Sequence, residues 1–344
     1  MLASVRRPRP VLATSSSRTS VNGTAGAGGH VPAVYSETVL REPGTSPLLT
    51  STKNVPVVDR RAPLGTYFSF VKPHIDATFV LVGVTGSLLA RMRSGSLPPG
   101  RLLGVVAAIA FLSAGAECWT NLVDRDIDAV MRRTARRSLP AGAISVRSAS
   151  IVGTVLTVAG LGTAASLGLL PFLFLTFALI NNVVVYSLLT KRSTPWSIVL
   201  GAAVGPLTLW AGYTAISVPM SMAAVLLGAM VAAWVPVHIW AIATRYRDDY
   251  ARAGVPMAPV VWSSSRLAIC LLISTVVMGA LATAGLASIR TPTEAIVGFV
   301  ALLSVLIAVT AVLLPWHERL ARPLIKLVTA YLVIVLVGAI GLAL

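Results

Sequence analysis

Residues 295–314 read AIVGFVALLSVLIAVTAVLL, a run of 20 residues without a charged side chain. An α-helix that crosses the hydrocarbon core of a bilayer, about 30 Å thick, needs roughly 20 residues of this kind. Similar apolar runs recur along the chain from residue 77 onwards. They lie near residues 75–91, 102–121, 148–168, 170–189, 197–217, 221–243, 266–288, 295–314 and 324–343. The pattern predicts an all-α polytopic membrane protein with nine transmembrane helices.

The composition of the chain agrees with this prediction and excludes a soluble enzyme. Of its 344 residues, 56% are hydrophobic and 12% are charged, and the mean hydropathy is +0.82. An ordinary soluble domain carries about 25% charged residues. The two cysteines, Cys118 and Cys270, lie in apolar sequence without metal-ligand spacing. They indicate neither a disulfide framework nor a zinc site.

The N-terminal part of the chain differs in composition from the rest. Residues 1–60 are rich in Ser, Thr, Gly, Pro and Arg and show no sustained hydrophobic period. Such a segment cannot bury enough apolar surface to offset the entropy that it would lose on ordering. We therefore expect residues 1–60 to form a disordered cytoplasmic tail and residues 61–344 to form the nine-helix transmembrane domain.

Basic residues indicate how the helices are oriented in the membrane. The chain contains 28 Lys and Arg against 12 Asp and Glu, a net charge of +16. Most of these basic residues precede residue 73 or lie in the loops after the second, fourth, sixth and eighth segments, and Lys and Arg are retained in cytoplasmic loops. The pattern predicts a multi-pass protein of the cell membrane, embedded in the lipid bilayer, with its N-terminus in the cytoplasm and its C-terminus outside. Because this topology accounts for the positive charge, we expect no nucleic-acid partner.

Acidic residues are concentrated in two short clusters. Asp124, Asp126 and Asp128 follow the second segment, and Asp248 and Asp249 follow the sixth, so both clusters lie at predicted cytoplasmic helix ends. If the helix continues through the first cluster, Asp124 and Asp128 share one face and lie about 5–6 Å apart. Asp126 then faces away from both, and it has either a functional role or a salt bridge to a nearby arginine.

Two like charges on one helix face repel each other unless a cation lies between them. Mg²⁺ prefers one or two carboxylates together with water and substrate phosphates over a closed protein cage. We therefore predict that the two clusters hold Mg²⁺ against a diphosphate, whose charge nearby basic side chains neutralise. Those basic residues are Arg132, Arg133, Arg137, Lys191, Arg245 and Arg247. The alternative is that acids and bases at the helix ends are only solvated and paired across the loops.

The first acidic cluster lies in a longer stretch with a recognisable pattern. Residues 121–142, NLVDRDIDAVMRRTARRSLPAG, resemble the first aspartate-rich motif of the UbiA superfamily of intramembrane prenyltransferases, and the form DRDID-x-x-M-x-RT resembles its protoheme IX farnesyltransferase family. Residues 234–261, from WVPVHIW to DDYARAGVPMAPVV, are similar to a second motif region of that family, and residues 186–195 resemble its segment after the fourth helix. The resemblance covers roughly residues 63–344. It implies a UbiA-type helix bundle, with residues 61–344 as one prenyltransferase domain.

For this family, the resemblance implies an Mg²⁺-dependent enzyme with farnesyl diphosphate and haem B as substrates. The enzyme would transfer the farnesyl group to the 2-vinyl group of haem B and produce haem O, and haem A synthase or terminal oxidase assembly would supply its partners. By the same resemblance, the catalytic residues are Asp124, Asp128 and Asp249. The implied Mg²⁺ ligands are Asn121, Asp124, Asp128, Asp248 and Asp249. The implied diphosphate-binding residues are Arg133, Arg137, Lys191, Arg245 and Arg247.

One histidine lies inside a predicted membrane span. His238 is near the cytoplasmic end of the sixth segment, two residues after Pro236, and ionisable residues within a membrane mark functional sites by default. We predict that His238 contacts haem, through the iron or a propionate. The alternative is that it bonds the backbone carbonyl that Pro236 leaves without a donor. Trp234 and Trp240 flank the histidine, and we expect both to be interfacial anchors outside the site.

Two other functions are compatible with the sequence. One is a different prenyltransferase of the same superfamily, acting on a quinone precursor or another aromatic acceptor, because Thr120 and Ser138 depart from the protoheme IX farnesyltransferase pattern. The other is a membrane transporter, since broken helices and buried charges also occur in transporters. A transporter usually places its charges near the bilayer midplane, whereas these acids cluster near one membrane face. The acidic clusters therefore favour the enzyme.

Overall fold

The part of the chain that the structure describes is helical. The computed structural model describes residues 64–71, 73–289 and 294–344, and no strand occurs among them. The predicted tail, residues 1–60, lies outside these ranges. The α-helices are α1 Leu64–Val71, α2 Pro73–Ser94, α3 Pro99–Val123, α4 Arg125–Val130, α5 Val146–Leu167, α6 Leu169–Ile180, α7 Ser197–Gly201, α8 Val204–Thr214, α9 Met222–Arg245, α10 Arg247–Arg252, α11 Ala258–Val261, α12 Ser264–Ala287, α13 Glu294–Leu313 and α14 Ala321–Ala343. The remaining helical elements are a π-helix, Asn181–Thr190, which continues α6, and two 3-10 turns, Leu314–Trp316 and Glu318–Leu320, which join α13 to α14.

Among the described residues, eight stretches are long and apolar enough to cross a membrane. They are Pro99–Val123, Val146–Leu167, Leu169–Thr190, Ser197–Thr214, Met222–Arg245, Ser264–Ala287, Ile296–Trp316 and Glu318–Ala343. Each corresponds to one of the nine predicted segments, which confirms the predicted all-α polytopic class. The remaining predicted segment, residues 75–91, is the first along the chain and lies in α2, a 22-residue helix of the bundle. Arg91 and Arg93 in the last turn of α2 shorten its apolar stretch.

Capping residues and a proline set where several helices begin. The Ser145 hydroxyl accepts a hydrogen bond from the backbone N–H of Ser148 at 3.0 Å, and Ser221 and Ser263 cap α9 and α12 in the same way. α3 begins at Pro99, whose fixed φ suits the first turn and whose missing N–H is not needed there. The starts of these helices are therefore encoded locally, in residues that flank the apolar runs.

α2 and α8 approach each other so closely that glycine is required at their crossing. A Cβ placed on Gly212 would lie 1.9 Å from the carbonyl oxygen of Gly83, and one on Gly86 would lie 2.1 Å from the carbonyl oxygen of Leu209. The Ser87 hydroxyl also donates a hydrogen bond to the Gly212 carbonyl at 2.9 Å. Lipid offers no hydrophobic driving force between helices, so close backbone contact and interhelical hydrogen bonds hold them together. This crossing fixes the position of α2 in the bundle.

Apolar side chains lie on both sides of the helices. Leu103, Leu169 and Leu302 point outward and are exposed, which suits a surface that contacts lipid tails. Leu227 and Tyr331 are completely buried in the largest core cluster. A helix that is hydrophobic all round belongs in a membrane, with one side packed against protein and the other against lipid.

The substitution Gly212→Ala should destabilise the bundle, because its Cβ has no space between α8 and α2. We expect a cost of about 1–3 kcal/mol, the usual range for overpacking, seen as a lower apparent Tm of the detergent-solubilised protein. Gly338→Ala on α14 is the matched control, since an added Cβ there meets no atom within 4 Å. Equal Tm values for the two variants would show that the crossing has room for a methyl group.

Candidate active site

The first acidic cluster lies where α3 ends. α3 stops at Val123, and Asp124 adopts φ −91° and ψ 8° before the short helix α4 begins. The backbone N–H of Asp128 still donates to the carbonyl oxygen of Asp124 at 2.8 Å, so helical spacing persists across the break. Both side chains are buried, whereas Asp126 between them is exposed. The structure therefore brings Asp124 and Asp128 together, as their spacing predicts.

Asp124 is paired with a lysine from another part of the bundle. Its Oδ2 accepts a hydrogen bond from Lys191 Nζ at 2.5 Å, and the side chains are only 8% and 13% exposed. Burial raises the pKa of the Asp124 carboxyl above its ordinary value, an effect that Lys191 opposes. Burial alone would lower the pKa of Lys191, but Tyr186 and Asp124 raise it above its ordinary value. The lysine therefore stays a cation, and the pair joins the end of α3 to the end of the π-helix.

Asp128 has a cation of its own. Its Oδ2 accepts a hydrogen bond from Arg137 Nη1 at 2.8 Å. The buried hydroxyl of Thr134 donates to the backbone carbonyl of Asp128 at 3.0 Å. These two contacts fold the loop after α4 back over the carboxylate. Two predicted diphosphate-binding residues, Lys191 and Arg137, thus lie in contact with the predicted catalytic carboxylates.

Asp249 connects the second acidic cluster to the loop that follows the first. Its Oδ2 accepts a hydrogen bond from the backbone N–H of Arg133 at 3.0 Å, and its Oδ1 is paired with Arg252 of the same helix. The Asp249 side chain is buried. This contact connects α10 to the loop after α4, so residues more than 100 positions apart in the chain meet. The charged cluster is defined here as Asp124, Asp128, Asp249, Lys191 and Arg137.

An aromatic ring lies between two of the predicted diphosphate-binding arginines. The guanidinium carbons of Arg133 and Arg245 are 5.0 Å and 5.4 Å from the centroid of the Tyr246 ring. Both distances are within the range of a cation–π interaction, which holds the two like charges near each other. Tyr246 is missing from the predicted site, although its position between Arg245 and the second acidic cluster is a signal that the sequence does contain.

Asp126 pairs with Arg192 outside the charged cluster. Arg192 Nη1 and Nη2 donate to its two carboxylate oxygens at 2.6 Å each, and Nη2 also donates to the carbonyl oxygen of Val123 at 2.8 Å. Hydrogen bonding to Arg192 lowers the pKa of Asp126 to about 2. The structure therefore supports the salt-bridge interpretation of Asp126.

Three predicted site residues have different surroundings. Asn121 is buried, and its Nδ2 donates a hydrogen bond to the carbonyl oxygen of Phe70 at 3.3 Å, which ties α3 to α1. Arg247 and Asp248, at the start of α10, are exposed. Their neighbour Asp249 is buried, so the two carboxylates of the second acidic cluster lie in unlike environments.

A cavity of about 560 Å³, the chamber, lies inside the bundle. It is bounded by α2, the π-helix, α7, α8, α9 and α14, and it falls within the range of about 300–1,000 Å³ found for ligand pockets. Tyr186 lines it, and Lys191 Nζ lies 5.5 Å from the centroid of that ring. The chamber therefore adjoins the charged cluster, with Tyr186 between them.

His238 lines the chamber from α9. Its ring stacks on Trp234, with centroids 4.4 Å apart, and its Nδ1 lies 3.3 Å from Thr329 Oγ1 on α14. The Thr329 hydroxyl donates its one hydrogen to the carbonyl of Ile325 at 2.7 Å, so it accepts from Nδ1. The ring hydrogen then lies on Nδ1, and Nε2 keeps a lone pair. The hydrogen bond to Thr329 replaces the predicted alternative, a bond to the carbonyl freed by Pro236.

The prediction that Trp234 and Trp240 are interfacial anchors is wrong for both. Trp234 lines the chamber, and its Nε1 donates a hydrogen bond to the carbonyl of Val328 at 2.7 Å. Trp240 is 1% exposed and packs edge-on against Trp262, with ring centroids 5.4 Å apart. The reason is that α9 is packed against α8, α12 and α14, so its tryptophans meet protein rather than lipid headgroups.

The donor chemistry of the charged cluster fits a hard divalent cation. Oδ1 of Asp124 is buried and has no hydrogen-bond partner among the described residues, so one carboxylate oxygen is available to a ligand. Within the same residues, no group of three Asp, Glu, His or Cys side chains is arranged to hold a metal ion. Mg²⁺ suits such a site, because it takes one or two carboxylates and completes its shell with water and phosphate oxygens.

Fold and site together define a multi-pass helical membrane protein whose internal apolar chamber adjoins a cluster of buried carboxylates paired with cations. The model of the UbiA prenyltransferase family matches residues 79–329, which include the whole charged cluster and His238. The chain belongs to this family and is a prenyltransferase. Family membership argues against the transporter that the sequence leaves open.

Two named relatives and one solved structure are similar to this chain over most of their own length. Protoheme IX farnesyltransferase 1 of Picrophilus torridus is 38% identical over 216 residues, which cover 62% of this chain and 72% of that protein. Protoheme IX farnesyltransferase of Thermoplasma acidophilum is 38% identical over 219 residues, 62% of this chain and 74% of that protein. A UbiA homologue from Archaeoglobus fulgidus, bound to GPP and Mg²⁺, has a TM-score of 0.61 at 17% identity over 80% of this chain and 99% of that one. This last similarity confirms the UbiA-type bundle.

Removing one partner of the buried Asp124–Lys191 pair should destabilise the protein more than removing both. Lys191→Met leaves a buried carboxylate without its cation, for which we expect about 3–5 kcal/mol, and adding Asp124→Asn should recover most of that loss. The measurement is the apparent Tm in detergent. Arg192→Met breaks the exposed pair with Asp126 and is the control, with an expected effect within about 1 kcal/mol. A wild-type Tm for Lys191→Met would contradict a structural role for the pair.

Proposed function

We propose that this protein transfers the farnesyl group of farnesyl diphosphate to the 2-vinyl group of haem B and so produces haem O. The observation that carries this proposal is the adjacency of an apolar chamber with an imidazole in its wall to a cluster of carboxylates and cations. The relatives named protoheme IX farnesyltransferase support the acceptor. The structural neighbour bound to GPP and Mg²⁺ supports a prenyl diphosphate as donor.

Carboxylates at the charged end of the chamber are proposed to hold Mg²⁺ together with the diphosphate. Asp124, Asp128 and Asp249 are buried there, and the available Oδ1 of Asp124 supports this role. Asn121 and Asp248 complete the proposed ligand set, one bonded to α1 and the other exposed. When bound, Mg²⁺ supplies positive charge that stabilises the departing diphosphate.

Basic side chains neutralise the negative charge that develops on the leaving diphosphate. Lys191 and Arg137 already lie on carboxylates, so an arriving diphosphate shares or exchanges these hydrogen bonds. Arg133 and Arg245 stack on the same tyrosine ring, and Arg247 follows them on α10. Charge-assisted hydrogen bonds of this kind are about twice as strong as neutral ones, and they act where the charge appears in the transition state.

The chamber keeps the reacting carbon away from bulk water. When the bond between the allylic carbon and the diphosphate breaks, the electrons leave with the diphosphate and an allylic cation remains, which water would capture. Phe79, Tyr186 and Trp234 contribute aromatic rings to the wall, and such rings attract a cation. The π electrons of the haem vinyl group then form the new carbon–carbon bond. The positive charge that remains on the inner vinyl carbon is neutralised when water adds to it and a proton leaves, which gives the hydroxyl group of haem O.

His238 is proposed to position haem in the chamber. Its Nδ1 is anchored on Thr329 and its ring on Trp234, which leaves the Nε2 lone pair for the haem iron. Histidines that bind metals usually have their other ring nitrogen anchored by a hydrogen bond in this way. The bond between Nδ1 and Thr329 supports the haem-contact role over a purely structural one.

We also propose that the charged cluster lies on the cytoplasmic side, with the N-terminus on the same side and the C-terminus outside. The segments that follow α3 and α9, which contribute carboxylates to the cluster, are among the most basic in the chain, and basic segments stay in the cytoplasm. The disordered tail 1–60, the domain 61–344 and the contacts with haem A synthase and terminal oxidase assembly stay predictions.

Haem O formation tests the proposed function directly. Purified protein in detergent, incubated with haem B, farnesyl diphosphate and Mg²⁺, should give a product with the mass of haem O, and chelation of Mg²⁺ should abolish it. A parallel incubation replaces haem B with a quinone precursor. Prenylation of the quinone precursor without haem O formation would favour the alternative activity of the same superfamily.

Asp124→Ala and Asp128→Ala should each lower haem O formation by about a hundredfold or more while the protein still inserts into the membrane. The reason is the loss of metal and diphosphate binding in the transition state. Asp126→Asn is the matched control, because that residue lies in the same segment but pairs with Arg192 outside the charged cluster. Full turnover by either alanine variant at normal expression would refute these assignments.

His238→Ala should raise the apparent KM for haem by about tenfold or more while leaving that for farnesyl diphosphate close to normal. Because groups at the other end of the chamber hold the diphosphate, a change in KM for haem alone distinguishes haem binding from diphosphate binding. His238→Gln, which keeps a hydrogen-bond donor toward Thr329 but no imidazole nitrogen for iron, should not restore haem use. An equal rise of the apparent KM for both substrates, fully reversed in His238→Gln, would assign His238 a structural role. The comparison uses conditions in which chemistry is slow, because KM then equals the dissociation constant.

A further inference from the structure

An arginine and two tryptophans form a cluster at one end of the bundle, outside the candidate active site. Arg266 lies in the first turn of α12, Trp196 directly precedes α7, and Trp262 directly follows α11. The guanidinium carbon of Arg266 is 4.6 Å from the centroid of the Trp262 ring and 5.8 Å from that of the Trp196 ring. The two rings meet edge to face, with their centroids 4.8 Å apart. These three side chains are called the Arg266 cluster.

The guanidinium of Arg266 has hydrogen-bond donors to offer to a ligand. The residue is exposed, and among the residues that the structure describes, no carboxylate lies within 4.0 Å of its side chain and no acceptor is bonded to it. Only its backbone N–H is bonded, to the Ser263 hydroxyl that caps α12. Arginine carries five N–H donors in a planar fork that matches the oxygens of a phosphate, and stacking on aromatic rings holds that plane in place. The side chain is therefore an oriented cation that lacks an anion.

A row of exposed apolar side chains runs along α12 from this cluster. Ile269, Ile273 and Val276 follow Arg266 at spacings of three, four and three residues, so all of them lie on one face of the helix. They are 58%, 57% and 57% exposed. From Arg266 to Val276 the helix rises by about 15 Å, half the thickness of the hydrocarbon core, which is the depth of one lipid leaflet. These three residues are called the apolar row.

The position of the Arg266 cluster is that of a lipid headgroup. α12 is long and apolar enough to cross a membrane, and Arg266 lies in its first turn, where the hydrocarbon core ends. Trp196 is 40% exposed beside it, and tryptophan is enriched at the level of the headgroups. A molecule that contacts both the cluster and the apolar row must carry a polar group at one end and an acyl chain below it.

The charge balance of the cluster favours an anionic lipid over a zwitterionic one. A zwitterionic headgroup brings its own cation together with its phosphate, whereas an anionic headgroup brings negative charge alone. Arg266 has no carboxylate beside it among the described residues, so its charge is left for the lipid to balance. One basic side chain near the membrane surface strengthens binding of an anionic lipid by about fivefold.

We propose that the Arg266 cluster binds the phosphate of an anionic phospholipid whose acyl chain lies along the apolar row. The guanidinium donates two hydrogen bonds to the phosphate oxygens while the two tryptophan rings hold its plane. Trp262 also packs against Trp240 of α9, with ring centroids 5.4 Å apart. A lipid bound here therefore stabilises the joint between the start of α7, the end of α11 and the helix that carries His238. The proposal does not depend on haem O formation.

Retention of lipids by the purified protein tests the proposal. In native mass spectrometry from a neutral detergent, wild-type protein should retain phosphatidylglycerol about fivefold more than phosphatidylcholine. Arg266→Gln should lower the retention of phosphatidylglycerol to that of phosphatidylcholine. Arg322→Gln is the matched control, because Arg322 is an exposed arginine in the first turn of α14 that stacks on no ring within the described part of the chain. It should match wild type.

Three outcomes of this measurement would overturn the proposal. They are equal retention of the two lipids by wild-type protein, wild-type retention of phosphatidylglycerol by Arg266→Gln, and displacement of phosphatidylglycerol by an excess of glycerol phosphate. The last result would show a site for phosphate alone, since glycerol phosphate has the headgroup anion without an acyl chain to lie on the apolar row.

Thermal stability gives a second test that needs no variant. A ligand that binds only the folded protein stabilises it, so phosphatidylglycerol should raise the apparent Tm of wild-type protein more than phosphatidylcholine does. In Arg266→Gln the two lipids should raise it equally. Equal shifts in wild-type protein would overturn the proposal whether or not Arg266→Gln folds. Since neither measurement uses haem or farnesyl diphosphate, their failure would leave the proposed function untouched.

Discussion

The buried ion pair between Asp124 and Lys191 is the contact on which the rest of the candidate site depends. A carboxylate at the end of a membrane helix can stay buried only if a cation accompanies it, because an unpaired buried charge costs several kcal/mol. Lys191 supplies that cation from the end of the π-helix and lies over the ring of Tyr186, which lines the chamber. One side chain thereby connects the carboxylates, the helix that carries them and the apolar interior.

The other buried carboxylates near the Asp124–Lys191 pair are also matched by donors, so a polar environment lies beside the apolar chamber. Asp128 is matched by Arg137, and Asp249 by Arg252 and a backbone N–H, so each buried carboxylate of the charged cluster has its own donor. The polar end suits a substrate that brings charge with it, and the chamber suits one that comes from the lipid. Chemistry that begins with charge separation and continues with a carbon electrophile needs both environments within reach of a single ligand.

Much of the fold could be predicted from the sequence, because its signals are local. Apolar runs and capping residues such as Ser145 and Ser221 act within a few positions of the helices that they define. Asp124 and Asp128 could be placed for the same reason, by helical spacing. The contact of Asp249 with the Arg133 backbone depends on segments far apart in the chain, and the burial of Trp240 depends on its neighbours, so neither is visible in the local pattern.

The π-helix has a consequence for how the site tolerates change in length. Each of its turns holds about one residue more than an α-helical turn, and the backbone N–H of Lys191 donates to the carbonyl of Tyr186, five residues earlier. In an uninterrupted α-helix, each residue gained or lost turns the following side chains by about 100°. The amine of Lys191 reaches Asp124 in the π-helical register. The number of residues between Asn181 and Lys191 is therefore as important for the pairing as the two charges. Insertions and deletions in this segment are therefore more disruptive than substitutions of its lipid-facing side chains.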